Sequence, residues 1–295
     1  MVSIKEYVAI SKATLKGIIE ASAESEYEQP HLLVLEFNGD KSSESYIKGL
    51  KKDCKEIGIT VTHHNVKHAE KLTTQQAVNI FEVLQELNDF DAVIIQKPIP
   101  ENIDVTELSK AIRTIQDVDG FIDDSPYMPC TPKGVIDYLE YCEYEFEGKT
   151  ACVVGRSKTI GKPLADMLLD RNCTVTVCHS KTKDDDLRTY MSESDIVFTC
   201  TNKIEQFNEE YLSVLSDLID FGIGIGKDGK LHGNVHRDTV QIMKESNSDV
   251  DNHIVISGTG GTGLLTRVTL MENIVKATYG WGHGKVENNE QDSED

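Results

Sequence analysis

The stretch Val153-Val154-Gly155-Arg156-Ser157-Lys158-Thr159-Ile160-Gly161-Lys162-Pro163 runs from an apolar strand, through a glycine turn, into a helix. Gly155 permits the tight turn. Gly161 permits close approach of backbone, and the helix start aims N–H groups at a pyrophosphate. Ser157 stands where the usual dinucleotide fingerprint has its second glycine. Taken alone, the pattern also fits a capping turn with Pro163 in the first helical turn. The following strand ends in His179-Ser180-Lys181-Thr182, without the carboxylate that binds a ribose 2′-hydroxyl in NAD-binding folds. Hydroxyl and cationic side chains there, with Arg156 in the preceding turn, suit a 2′-phosphate. The expected cofactor is NADP.

On both sides of this stretch, apolar runs alternate with helical periodicity. Strands are expected over 32–37, 59–63, 92–95, 150–154, 174–178, 196–199, 218–221 and 254–256. Most are continuously apolar, as parallel strands buried on both faces are. Helices are expected over 45–57, 74–88, 105–116, 133–141, 162–171, 209–215 and 265–279, the last after a glycine-rich loop at 258–263. Such alternation predicts a doubly wound α/β fold with right-handed crossovers. A polar stretch at 143–148 marks a domain boundary. The polar, acidic end at 280–295 has too little apolar area to offset ordering entropy and is expected to be disordered.

The chain has 295 residues, enough for two modest cores, and a formal net charge of -20. That charge repels nucleic-acid backbones and anionic lipid. No apolar run reaches the ~18 residues of a membrane span, and the first residues lack a signal-peptide core. The seven cysteines include no CxxC pair, so a reducing cytoplasmic setting fits and a zinc site does not. His63 and His64 point to opposite faces of a strand and cannot chelate together.

Six segments, in order, resemble the methylenetetrahydrofolate dehydrogenase/cyclohydrolase family. They are Gln96-Lys97-Pro98-Ile99-Pro100, Asp117-Val118-Asp119-Gly120-Phe121, Pro129-Cys130-Thr131-Pro132-Lys133-Gly134, the Gly155–Pro163 turn, Cys178-His179-Ser180-Lys181-Thr182 and Asp220-Phe221-Gly222-Ile223. With neighbouring matches the likeness covers 43–273. It implies a small folate-binding catalytic domain over 1–146, completed by a returning C-terminal helix at 264–281. A Rossmann-like NADP-binding domain over 147–263 and an acidic tail over 282–295 complete the chain. It also implies hydride transfer from methylenetetrahydrofolate to NADP, hydrolysis of the methenyl product, and a homodimer. The cofactor contacts it implies are Gly155, Arg156, Ser157, Ile160, Gly161, Ser180, Thr201 and Ile223.

For the folate site the resemblance implies Tyr46, Gln96 and Asp119, with Asp119 holding the pterin ring. The family's lysine, four residues after the tyrosine, falls on Leu50. Leucine cannot move a proton, so hydrolysis is expected to suffer more than hydride transfer. Lys48 and Lys51 point away from Leu50 on an ideal helix. The 121–129 loop is short, the family's proline-bearing segment reads Ser257-Gly258-Thr259-Gly260-Gly261-Thr262-Gly263, and its Gly-Asp-Val reads Gly233-Asn234-Val235. The added glycines imply a freer cleft wall. These departures leave two alternatives open: an NADP-dependent dehydrogenase of another small substrate, and a non-catalytic NADP-binding relative.

Overall fold

The structure, a computed structural model, describes residues 2–25, 27–37, 39, 41–246 and 253–280. The expected tail at 282–295 lies outside the described residues. The elements of the amino-terminal half are α1 (Ile4–Glu24), β1 (His31–Phe37), α2 (Lys41–Ile57), β2 (Thr60–Val66), α3 (Thr74–Leu87), β3 (Ala92–Gln96) and α4 (Val105–Ser109). Then come α5 (Cys130–Tyr141), β4 (Thr150–Val154), α6 (Gly161–Leu169), β5 (Thr174–Cys178), α7 (Asp184–Ser192), β6 (Ile196–Thr199) and β7 (Asp217–Asp220). A hairpin, β8 (Gly224–Ile225) with β9 (Leu231–His232), precedes α8 (Arg237–Glu245), β10 (Val255–Ile256) and α9 (Gly263–Tyr279).

The chain forms two compact units. One comprises Thr14–Val118 and Met271–Asp295. Its parallel sheet has the order β2-β1-β3, and the central strand β1 is buried from Leu32 to Phe37. The later part of α9 is tied into this unit, with Asn273 Nδ2 donating to the Val118 carbonyl at 2.9 Å and the Tyr279 hydroxyl donating to Glu28 at 3.2 Å. The other unit comprises Met1–Ala13 and Asp119–Leu270. Its parallel sheet has the order β10-β7-β6-β4-β5. The chain winds outward from β4 in both directions, so a crevice opens at the carboxyl ends of β4 and β6. This is the two-sheet α/β architecture the sequence implies.

Three expected elements differ. Residues 209–215 are turns rather than a helix: Asn208 Oδ1 accepts the Glu210 N–H, and Ser213 Oγ accepts that of Leu215. Such local side-chain bonds compete with helix formation. The helix over 105–116 stops at Ser109, whose hydroxyl donates to the Thr106 carbonyl, and resumes as a single 3-10 turn at Thr114–Gln116. The glycine-rich segment forms a turn over Gly258–Thr262, kinked at Gly261, that leads into α9. A Cβ on Gly258 would overlap the Gly222 carbonyl, so close packing, not conformational freedom, is what this glycine supplies.

Candidate active site

In the first unit the candidate residues gather at the carboxyl end of the β2-β1-β3 sheet, where α/β sites form. Tyr46 lies half-buried on α2. Gln96 ends β3, and its Nε2 donates to the Lys97 carbonyl at 2.8 Å. Ser43 Oγ donates to the same carbonyl at 3.0 Å. The Ser43 bond fastens the start of α2 to the segment that follows β3, and the Gln96 bond is local to the strand end. Leu50 is 0% exposed, in a stripe with Ile47, Cys54 and Ile57 that forms the buried face of α2. The lysine position of the family is therefore part of this chain's core. Lys48 and Lys52 are exposed, whereas Lys51 is partly buried and bonds to His63.

In the second unit the cofactor candidates all follow carboxyl ends of neighbouring strands: Gly155 to Gly161 after β4, Ser180 after β5, Thr201 after β6 and Ile223 after β7. Gly155 has φ +134, and a Cβ there would crowd the Cys200 backbone. Ser157 Oγ accepts the N–H groups of Ile160 and Gly161 at 3.1 and 3.4 Å, and the Ser157 carbonyl accepts that of Lys162 at 3.0 Å. The N–H groups expected to face a pyrophosphate are thus bonded within the loop, and a phosphate would compete with a serine hydroxyl for two of them. After β5, Thr182 Oγ1 accepts the His179 N–H and His179 Nδ1 accepts the Lys181 N–H. This closed turn leaves Ser180 and Lys181 exposed, as Arg156 is. No carboxylate stands at the end of β5.

Two networks were not legible from motifs. Asp220, fully buried, accepts from Thr199 Oγ1, the N–H groups of Gly222 and Asn234, and that of Val235. Burial pushes its carboxyl up and these hydrogen bonds oppose the shift. Asn234 Oδ1 accepts the Thr201 N–H at 3.0 Å, while its Nδ2 donates to the carbonyls of Thr201 and Lys203. An aspartate at 234 has no N–H to donate, so the Asn234 departure is part of how this chain shapes its β6 and β7 loops. The second network joins Glu36, His63, Asn65 and Lys51. Its sequence signal was a lone carboxylate in the apolar strand His31–Phe37.

Asp119 belongs to the second unit and is partly exposed. Its carbonyl accepts the Cys130 N–H at 3.3 Å, closing the 119–130 loop. Gly120 after it has φ +67, and a Cβ there would lie 2.6 Å from the Tyr127 carbonyl oxygen. The loop, the β4–α6 turn and the start of α6 line an open cleft of about 390 Å³, with Phe121, Tyr127, Lys158, Lys162, Pro163 and Asp166 on its walls. Burial pushes the Tyr127 hydroxyl up to about 12, so it stays a neutral donor.

Comparison with known proteins accounts for both halves. Residues 3–119 match the tetrahydrofolate dehydrogenase/cyclohydrolase catalytic domain, and residues 129–280 match the NAD(P)-binding domain of the same family. The chain belongs to that family. A bifunctional protein FolD of Ruminiclostridium cellulolyticum is 33% identical over 281 residues, covering 92% of this chain and 94% of the relative. The solved structure of a bifunctional methylenetetrahydrofolate dehydrogenase/cyclohydrolase from Campylobacter jejuni superposes with a TM-score of 0.83 at 28% identity, covering 94% of this chain and 97% of that one. The Trypanosoma brucei enzyme, solved with NADP and an inhibitor, shares the fold at 23% identity and a TM-score of 0.77, covering 92% and 95%. Among the described residues no helix is long and apolar enough to cross a membrane.

Proposed function

We propose that the chain oxidises methylenetetrahydrofolate by NADP-dependent hydride transfer, with hydrolysis of the methenyl product as its weaker second activity. The carrying observation is that one chain matches both the catalytic and the NAD(P)-binding halves of the family almost end to end. Tyr46, Gln96 and Asp119 hold the folate, and the segment over 1–146 with the helix at 264–281 is its domain. The segment over 147–263 holds the nucleotide. NADP, when bound, accepts the hydride. The protein's task is then to align two substrates and exclude water, which needs no titratable group at position 50. The enzyme works as a homodimer in the cytoplasm, in keeping with its reduced cysteines.

Absorbance at the reduced-nicotinamide band tests this directly. Methylenetetrahydrofolate with NADP should give reduction, followed by slow decay of the methenyl product. No reduction with NADP or NAD would overturn the reading and leave another substrate, or binding without chemistry. Cofactor choice has its own test. Arg156 and Ser180 are exposed and no carboxylate faces them from β5, which suits a 2′-phosphate. Arg156→Ala should raise the KM for NADP about 30-fold, the worth of one charge-assisted contact of about 2 kcal/mol, and leave the KM for NAD nearly unchanged. Equal losses for both would place Arg156 elsewhere.

A further inference from the structure

The last rung of the β2-β1-β3 sheet is polar. Glu36 on the central strand is in register with Asn65 on one side and Gln96 on the other. In-register residues of a parallel sheet share a face, and His63, two residues before Asn65, shares it too. Glu36 is 1% exposed. Its Oε2 accepts from His63 Nε2 at 2.9 Å and from Asn65 Nδ2 at 2.6 Å. Its Oε1 is buried and has no hydrogen-bond partner among the described residues. Lys51 Nζ lies 3.1 Å from His63 Nδ1. An ammonium only donates, so Nδ1 accepts and Nε2 carries the proton given to Glu36.

A carboxylate inside an apolar strand is costly, and leaving one oxygen unpaired makes it more so. Leucine or valine would serve the core better. The unpaired oxygen lies on the sheet face and rung that carry Gln96, at the site of a reaction whose family lysine is missing. Gly39 closes over the carboxylate, and the atom that a Cβ there would meet first is Oε1.

We propose that Glu36 is the proton-transferring residue of the hydrolytic half-reaction, taking the place of the absent lysine, with His63 and Lys51 balancing its charge. The inference rests on the dehydrogenase/cyclohydrolase reading. Water adds to the amidinium carbon of the methenyl substrate: one water O–H bond breaks, the C–O bond forms, and Glu36 Oε1 takes the proton. The neutral adduct then collapses. Glu36 returns its proton to the leaving nitrogen, the C–N bond breaks, and the adduct hydroxyl loses its proton to solvent, giving the formyl product and one H⁺. Glu36 ends as it began, a carboxylate facing His63. Lys51, on the other side of the Leu50 stripe from Tyr46, bonds to the far side of the His63 ring.

Glu36→Gln keeps the shape and can still accept from His63 and Asn65, but takes no proton. Hydride transfer and methenyl hydrolysis are measured on the same preparations, with thermal unfolding alongside. The expected result is loss of about 100-fold in kcat for hydrolysis, typical of removing a general base, with KM for the methenyl substrate and the hydride-transfer rate little changed. Lys51→Met, at a partly exposed position, should show the same selectivity with a smaller loss, and serves if Glu36→Gln folds poorly. Wild-type hydrolysis no faster than in buffer, full hydrolysis in both variants, or parallel loss of both activities would each overturn the assignment. Absence of hydride transfer in the wild type would instead point to failure of the family reading.

Discussion

Gly161→Ala is expected to weaken NADP binding by about 100-fold or more, because the cofactor loop has no room for a methyl group. A Cβ at position 161 would overlap the Gly155 carbonyl oxygen and lie 2.6 Å from its carbon and 2.9 Å from the Arg156 nitrogen. All three are backbone atoms, which cannot rotate aside as a side chain can. Restoring ordinary contact at about 3.5 Å requires the β4–α6 turn to open by roughly 1 Å. A displacement of that size costs about 100-fold where a ligand must be placed accurately. Overpacking should also cost about 1–3 kcal/mol of stability. Gly17 supplies the contrast. It lies exposed within α1, and nothing stands within 4 Å of a Cβ built there. Gly17→Ala should stabilise the protein by up to about 1 kcal/mol and leave both KM values alone. Titration of NADP by fluorescence, with thermal unfolding, checks both variants. Normal NADP affinity in Gly161→Ala would show that the turn does not hold the cofactor.

The same turn explains why so much of the fold was readable. Its strand, glycines and helix follow one another within eleven residues, and local steric rules govern each step. The central strands β1, β3, β4, β6 and β7 were equally plain, because parallel strands buried on both faces are mostly apolar. The helices α7 and α8 were not. Each buries only a narrow stripe, Leu187 and Met191 in one and Thr239, Val240 and Met243 in the other, so their sequences look like polar loops. The site divides in the same way. Gln96 and Gly155 sit in motifs. The Glu36 network joins residues from β1, β2 and α2, and no local pattern brings 36, 51, 63 and 65 together. The parallel register aligns Glu36 with Asn65, and the packing of α2 adds Lys51. Leu50 shows the converse. Its departure from the family was visible in sequence, but that it had joined the core was a matter of packing.

Asp119→Ala should raise the KM for methylenetetrahydrofolate about 100-fold and leave NADP binding within about two-fold. A carboxylate that accepts two parallel N–H bonds from the pterin's amidine-like edge contributes about 3 kcal/mol, hence the factor. The competing reading is that Asp119 merely starts a turn, since Gly120 follows it in the left-handed region and the 119–130 loop closes on its carbonyl. That closure uses the backbone oxygen, which alanine keeps. A turn role would therefore show as a lower melting temperature and similar losses for both ligands, because the loop also lines the cleft shared with Lys158 and Lys162 at the start of the cofactor helix. Asp119→Asn separates the two further. It keeps the volume and one acceptor but replaces the other acceptor with a donor, so it should lose most of the folate affinity while folding normally. If Asp119→Asn binds folate as the wild type does, the charge is not what holds the pterin, and the turn reading stands.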